Sequence, residues 1–507
     1  MKLKEGNGDL NETGPIRLMQ RRQALAAISA AAVVVGFDPV AGTWIREAEA
    51  SCGSFPYHHV PDLDGTLYTD IATRQADQTD AGNIKFRLPA AVLRPGSVDD
   101  IVKMVKYCRQ RNIKVAARGQ GHTTFGHSLS CGLVIEMASL NTIHSIDSSG
   151  AVLDAGAQWF DLILESAAEG LTPPVLTGYT QLTIGGTLSV GGVSSTSGRG
   201  LQIDNVQWLD VVTGKGQLIR CSDTQHKKLF EAALGGLGQC GIIVRAKVNL
   251  IPAPEFVRLY NFYYLDNAQF FSDIRTLLYR DELDDIFNLW FPNGSGFLYQ
   301  LNGAIGFNAG QEPDGDFLLR DLSMTPDQAQ VTDIPYVDYV LRVDYLVDSY
   351  KTNLQWQDLI KPWFDIWLPD STVEEYVDDV LPTLTAADIG TTGFLLLLPT
   401  RRSLLTRPFH PIPEDDGSDW IFLFDILTSS EQPGPDPVFR DQMLARNRAL
   451  FEVARDVGAT RYAISSIEFD HADWVQQYGD NWHEFKQRKQ KYDPDNILTP
   501  GLGIFSC

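Results

Sequence analysis

RGQGHTTFGHS, Arg118–Ser128, places three glycines and two histidines within eleven residues. Glycine lets backbone N–H groups converge on a ligand with no Cβ in the way. Histidine carries protons near neutral pH and ligates metals. A turn of this composition suits a phosphate, a metal or a flavin. Its flanks set the context: IKVAAR (113–118) reads as a short buried strand running into the turn, and GLVIEM (132–137) as the next strand. Upstream, Ser97 with Asp100 resembles a capping box, followed by Ile101, Met104, Val105 and Cys108 at helical spacing. Downstream, VLDAGAQWFDLILESAAEGL (152–171) reads as a strand and then an amphipathic helix. Strands alternating with helices predict an α/β or α+β domain.

Two β-rich runs around Thr213-Gly214-Lys215-Gly216 predict a hairpin. Gly236-x-Gly238-x-x-Gly241 matches the dinucleotide fingerprint as a string, but that fingerprint needs strand, glycines, helix. Here the order is helix, glycines, strand, so a tight turn is expected and a nicotinamide site is not. GxxxxGK[ST] is absent, which removes P-loop chemistry. His122 and His127 stand five apart and share no helical face, so no metal pair is expected. LTIGGTLSVGGVSSTSGRG (182–200) is a second glycine-rich stretch. Neither stretch holds a basic cluster, so backbone amides would supply most of the field for a bound pyrophosphate.

The chain has 507 residues, 44% hydrophobic and 21% charged, with a formal net charge of −22. That charge argues against a nucleic-acid partner, which calls for clustered Lys and Arg, and against an anionic membrane surface. It leaves a small-molecule substrate open. The six cysteines form no CxxC pair and show no zinc spacing; buried thiols and room for one disulfide are expected. RLMQRRQALAAISAAAVVVGF (17–37) puts Arg21-Arg22 ahead of an apolar stretch, and Ala48-Glu49-Ala50 fits a cleavage site. Residues 1–50 therefore read as an export signal of the twin-arginine kind, with the chain secreted or periplasmic; without that signal it would be cytoplasmic. The apolar stretch is too short for stable membrane insertion. Ala253-Pro254 makes a domain boundary. Glu255 to about Ile464 is richer in aromatics and prolines. The end, DWVQQYGDNWHEFKQRKQKYDPDNILTPGLGIF (473–505), reads as one helix closed by Asp493-Pro494 and then a punctuated tail.

RGQGHTTFG, GLVIEM, LTIGGTLSVGGVSS, NVQWLDVVTGKGQLIRCS and LFEAALGGLGQCGIIVRAKV together resemble the FAD-linked oxidases of the vanillyl-alcohol-oxidase type, with their PCMH-type FAD-binding domain. Within that family they are similar to cytokinin dehydrogenases, as is the tail. The resemblance implies an α+β fold in which a two-part FAD-binding domain (51–254 and 465–507) carries an inserted α+β substrate domain (255–464). It implies FAD bonded covalently through His122 to the flavin 8α-methyl. Arg118, Gly119, Gln120, Gly121 and Thr123 would line the cofactor, with His127 and Ser128 nearby, and Thr183, Ser189, Val193 and Ile243 match further FAD-contacting positions. Tyr179 stands where a related group has a second, cysteine link, so a single bond is expected.

The chain also departs from the family. An aspartate that accepts the substrate's amine proton is replaced by Gly178, and a glutamate of the substrate domain falls near Asn288 or Leu289. Cytokinin is accordingly a poor expectation as substrate. Tyr179, His410 and Glu468 are the alternative candidates for the catalytic base. The expected reaction is hydride transfer from a C–OH or C–N carbon of a small organic molecule to the flavin, with O2 or another acceptor. The alternative is a flavin-bound, non-redox cyclase or binding protein on the same scaffold.

Overall fold

The computed structural model describes residues 34–38, 43–46, 58–294 and 296–505. Residues 1–51 form a unit of their own, in which Val34–Asp38 pairs antiparallel with Thr43–Arg46. The rest of the expected leader, with Arg21-Arg22 and the Ala48-Glu49-Ala50 site, lies outside the described residues.

In the main unit, the strand Val115–Arg118 pairs in parallel with Leu133–Glu136, and that strand with Ala91–Arg94, within a four-stranded sheet. The helix Val98–Gln110 packs on it through Ile101, Met104, Val105 and Cys108, all fully buried. Each such aliphatic side chain contributes about 1.5–3 kcal/mol by leaving water. Ser97 Oγ accepts from the Asp100 N–H at 3.4 Å, as the capping signal requires. The buried Asp100 carboxylate also accepts from the Asp64, Gly65 and Gly96 N–H groups (2.9, 2.8 and 2.9 Å), tying the preceding loop to the helix start.

A five-stranded sheet follows, with the expected hairpin joining Val206–Val212 to Leu218–Ser222. The helix Lys227–Ala233, a glycine-rich turn and the strand Ile242–Val248 occur in that order. This is a turn with positive φ at Gly235, Leu237 and Gly238, as the sequence order implied.

Residues 256–461 build an eight-stranded sheet, in the order Gln330–Pro335, Phe256–Tyr264, Phe297–Phe307, Asp285–Pro292, Phe394–Arg401, Trp420–Leu427, Phe364–Pro369, Thr460–Arg461. One face packs against the helices Asn267–Arg280, Asp370–Val380 and Pro437–Asp456 through Ile286, Trp290, Leu395, Leu397, Phe422, Phe424 and Ile366. Strand residues alternate faces, so residues 287, 289, 396, 423 and 425 look the other way.

The C-terminal segment returns to the first core. Ile497 O accepts from Val115 N, and Thr499 N donates to Val115 O, both at 2.8 Å. The single terminal helix read from the sequence is two, His471–Tyr478 and Asn481–Tyr492, because Gly479 turns the chain at φ +46°. The architecture is α+β. Cys108, Cys221 and Cys240 are buried free thiols, and Cys131 is disulfide-bonded.

Candidate active site

The strand Val115–Arg118 delivers the chain into the glycine turn, and Arg118 fixes the turn from behind. Its guanidinium pairs with Asp77 at 3.0 Å and donates to Thr79 O at 2.8 Å. Gly121 has φ +63°, and a Cβ there would lie 2.4 Å from that guanidinium. A Cβ on Gly119 would lie 2.0 Å from Thr183 Oγ1, so the two glycine-rich stretches meet at this point. The carbonyls of Gly121 and Thr123 accept from Ala81 and Gly82 N–H (2.7 and 3.3 Å). Asp80 accepts from Gly126 N–H (2.6 Å) and Thr123 Oγ1 (3.0 Å); burial pushes its carboxyl up to about 6.

Gly119 through Thr123 line a cavity of about 700 Å³ between this turn and the second face of the eight-stranded sheet. Thr183, Ser189, Val193 and Ile243 line it too, with His127 and Ser128. Eleven of the twelve residues expected to touch the cofactor are brought together here. Arg118 is the exception: it braces the turn without lining the cavity.

His122 opens on the cavity yet sits deep in the protein. Its ring stacks on Tyr179 (4.8 Å between centroids) and Trp356 (5.8 Å), with Trp363 edge-on at 5.5 Å. Burial first, then the charges of Lys361 and Lys351, push its pKa down to about 3, so the imidazole is neutral. Lys361 is fully buried, donates to the Trp356 and Leu359 carbonyls (both 2.8 Å), and is pushed down to about 7 by the same burial.

The candidate bases separate. Tyr179 lines the cavity; its hydroxyl accepts from Lys351 (2.9 Å) and donates to Gln181 (3.2 Å), and burial raises its pKa. His410 is buried outside the cavity lining, beside the Val190 carbonyl (Nδ1 at 3.2 Å) and edge-on to Trp367 and Tyr462. Glu468 is 78% exposed and faces Lys85 at 3.7 Å, also outside the lining. Gly178 and Leu289 face the cavity, whereas Asn288 turns into the sheet's other side and donates to Leu397 O.

Two carboxyls that the sequence reading passed over do face the cavity: Asp365 and Asp425. Each interrupts an apolar run, KPWFDIWLP and WIFLFDIL. A lone carboxylate in such a strand is a legible sign of a buried charged group.

A volume well within the usual ligand range, two touching glycine loops at one side and an apolar sheet at the other fit a dinucleotide with a planar ring. Among the described residues no cluster of His, Cys, Asp and Glu could hold a metal ion, and no helix is long and apolar enough to cross a membrane. The family model of FAD-binding domains matches residues 89–222, and that of cytokinin dehydrogenase 1, FAD and cytokinin binding, matches residues 254–505. An uncharacterized oxidoreductase of the fasciation locus of Rhodococcoides fascians is 34% identical, over 87% of this chain and 99% of its own. Cytokinin dehydrogenase 9 of Oryza sativa subsp. japonica is 32% identical (87% and 91%), and cytokinin dehydrogenase 2 of Arabidopsis thaliana 30% (87% and 94%).

The chain belongs to the cytokinin dehydrogenase family. It is an FAD-dependent oxidoreductase of that type, and the two family matches divide at residues 222–254, where the cavity's two sides also part in sequence. In this cytokinin dehydrogenase-type protein the glycine-rich stretches line one side of the cavity. The eight-stranded sheet lines the other side.

Proposed function

We infer that this chain is an oxidase that takes hydride from a C–OH or C–N carbon of a small organic substrate, with FAD bonded covalently through His122 and O2 as the final acceptor. The observation that carries this reading is the neutral His122 ring within the cavity shared by both domains. A protonated imidazole has no lone pair to bond to the flavin methyl; burial leaves this one uncharged. FAD, when bound, supplies the two-electron acceptor. The chain's own groups do the rest. The turn at Gly119–Gly121 offers backbone approach to the cofactor's phosphates, braced by Asp77, Asp80 and Arg118. Tyr179, Trp356 and Trp363 wall His122 from water. Tyr179, with its raised pKa and hydroxyl engaged by Lys351 and Gln181, positions rather than accepts a proton. The division at about 254 and 465 into a split FAD-binding domain and a substrate domain goes with this reading, as does export by the Arg21-Arg22 leader after the cofactor has been loaded.

The test is acid precipitation of the purified full chain, read by absorbance and intact mass, beside His122→Ala. Flavin retained with the mass of one FAD in the native protein and lost from the variant is the expected result. Flavin released into the supernatant by the native protein refutes the covalent bond. Bound flavin that neither bleaches anaerobically with any amine or alcohol nor reoxidises in air favours the non-redox alternative.

A further inference from the structure

Among the described residues that line the cavity, Arg342 and Lys361 are the two with a long cationic side chain. Arg342 is half-buried and spent on its own helix start: its guanidinium donates to Tyr339 O at 2.7 Å and lies over the Tyr339 ring. Lys361 is fully buried. Its backbone is clamped, because Lys361 N donates to Gly82 O at 2.9 Å and Asn447 Nδ2 donates to Pro362 O and Trp363 O at 3.0 and 3.1 Å. Its Nζ donates to Trp356 O and Leu359 O, both at 2.8 Å, and stands 4.3 Å over the Trp356 ring, which is itself stacked on His122. An ammonium has three N–H donors. Two are taken, and among the described residues no group accepts the third.

The charged groups around Lys361 leave it unpaired. Asp80 and Asp358 act on it through charge alone, with no hydrogen bond to it. Asp80 is engaged by Gly126 N–H and Thr123 Oγ1, and Asp358 lies at the surface. Lys351, the other cation that acts on His122, is held by Tyr179 and Asp348. Asp365 and Asp425, on the sheet side, hydrogen-bond to one another. A buried charge without an ion-pair partner is costly. Here it is fixed at the wall of a largely apolar cavity, where a charge acts over a longer range than in water.

We propose that Lys361 is the oxygen-activating group of this protein: its ammonium stabilises the negative charge that O2 acquires on taking the first electron from the reduced cofactor. This rests on the FAD-oxidase reading above. O2 enters an apolar cavity as a neutral molecule and becomes an anion there, so a preorganised cation favours the charged state over the starting one. The reduced cofactor gives up two electrons in all. With two protons, one from the cofactor and one from solvent, they convert O2 to hydrogen peroxide and leave the cofactor oxidised. Lys361 keeps its own proton and emerges unchanged. Burial pushes Lys361 down to about 7, against the pull of Asp80 and Asp358. The charge is present below that value and lost above it, so reactivity with O2 falls as pH rises through it.

The experiment uses the flavin-loaded full chain and its Lys361→Gln variant, which keeps N–H donors for the two carbonyls and removes the charge. Flavin content is measured first; a native protein without flavin fails the parent reading before any oxygen is added. The flavin is then reduced by light without air, which needs no substrate, and mixed with O2 in a stopped-flow instrument from pH 5.5 to 9. Native protein should reoxidise faster than free FAD, with a rate that falls as pH rises through about 7. Lys361→Gln should be slower by about 10²–10³-fold at low pH and show no such fall. Sulfite, which adds to oxidised flavin as an anion, gives a readout apart from turnover: its affinity should follow the same pH profile in native protein and drop at least tenfold in the variant. A native rate no greater than that of free FAD overturns the O2 reading and this proposal together. A fast native rate that is flat with pH, or a variant with native oxygen rate and sulfite affinity, overturns the proposal alone. The native pH profile decides the matter even if the variant does not fold.

Discussion

Urea unfolding of Asp425→Asn at pH 5 and pH 7 weighs the energetic cost of the buried carboxyl pair apart from any activity. In the unfolded chain an aspartate releases its proton near 3.8, whereas in the fold burial and the neighbouring carboxyl hold it on. A raised folded pKa contributes stability that is fully present below the unfolded value and is lost as pH climbs toward the folded one. The loss runs at about 1.4 kcal/mol per pH unit for each proton retained. The asparagine pays no such term; leaving its amide imperfectly bonded costs about 1–3 kcal/mol at any pH. Asp425→Asn should therefore gain stability relative to the native protein as the pH is raised from 5 to 7. The change between the two pH values, rather than the difference at either one, is the cleaner signature. Urea midpoints followed by far-ultraviolet circular dichroism give it directly. A stability difference that stays flat or shrinks from pH 5 to pH 7 would refute the claim that these carboxyls are held protonated by burial.

Other outcomes follow from the same geometry. Gly121→Ala places a Cβ at φ +63°, costing about 1–2 kcal/mol, and pushes the Arg118 guanidinium off Asp77; the variant should lose flavin on gel filtration, and full retention with an unchanged thermal midpoint would contradict the bracing described for the turn. Gly178 meets only Val343 Cγ2, at 3.7 Å from an added Cβ, so Gly178→Asp should fold with its thermal midpoint moved by less than about 2 °C and bind N6-benzyladenine more tightly; a large drop in midpoint would show that the space is absent. Replacing Arg21-Arg22 by two lysines should keep the protein in the cytoplasm of an exporting host, whereas unchanged export would remove the twin-arginine reading.

How far the sequence reaches differs between the two sides of the cavity. The FAD side was legible because its chemistry is local. A glycine turn between two strands, a histidine inside it and a second glycine stretch are read from neighbours along the chain, and eleven of the twelve residues that the family resemblance implies line one cavity. Arg118 went differently because its side chain folds back to Asp77, 41 positions earlier, and spacing carries no sign of that. The terminal helix was read as one because its apolar pattern runs through Gly479, whose backbone turn local spacing does not reveal.

The sheet side was decided by tertiary structure. Asp365 and Asp425 are sixty positions apart, and nothing in either apolar run says that the two strands are neighbours or in register. His410 and Glu468 looked equivalent to Tyr179 as sequence candidates, yet only the fold sends one into the cavity, one beneath the Val190 turn and one into solvent. Sequence alone determined the cofactor class and the glycine loops that border the cavity, since close backbone approach depends on which residues lack a side chain. Which carboxyls face the cavity was settled only by strand pairing, because the face a side chain takes is set by register, and register is a property of the whole sheet.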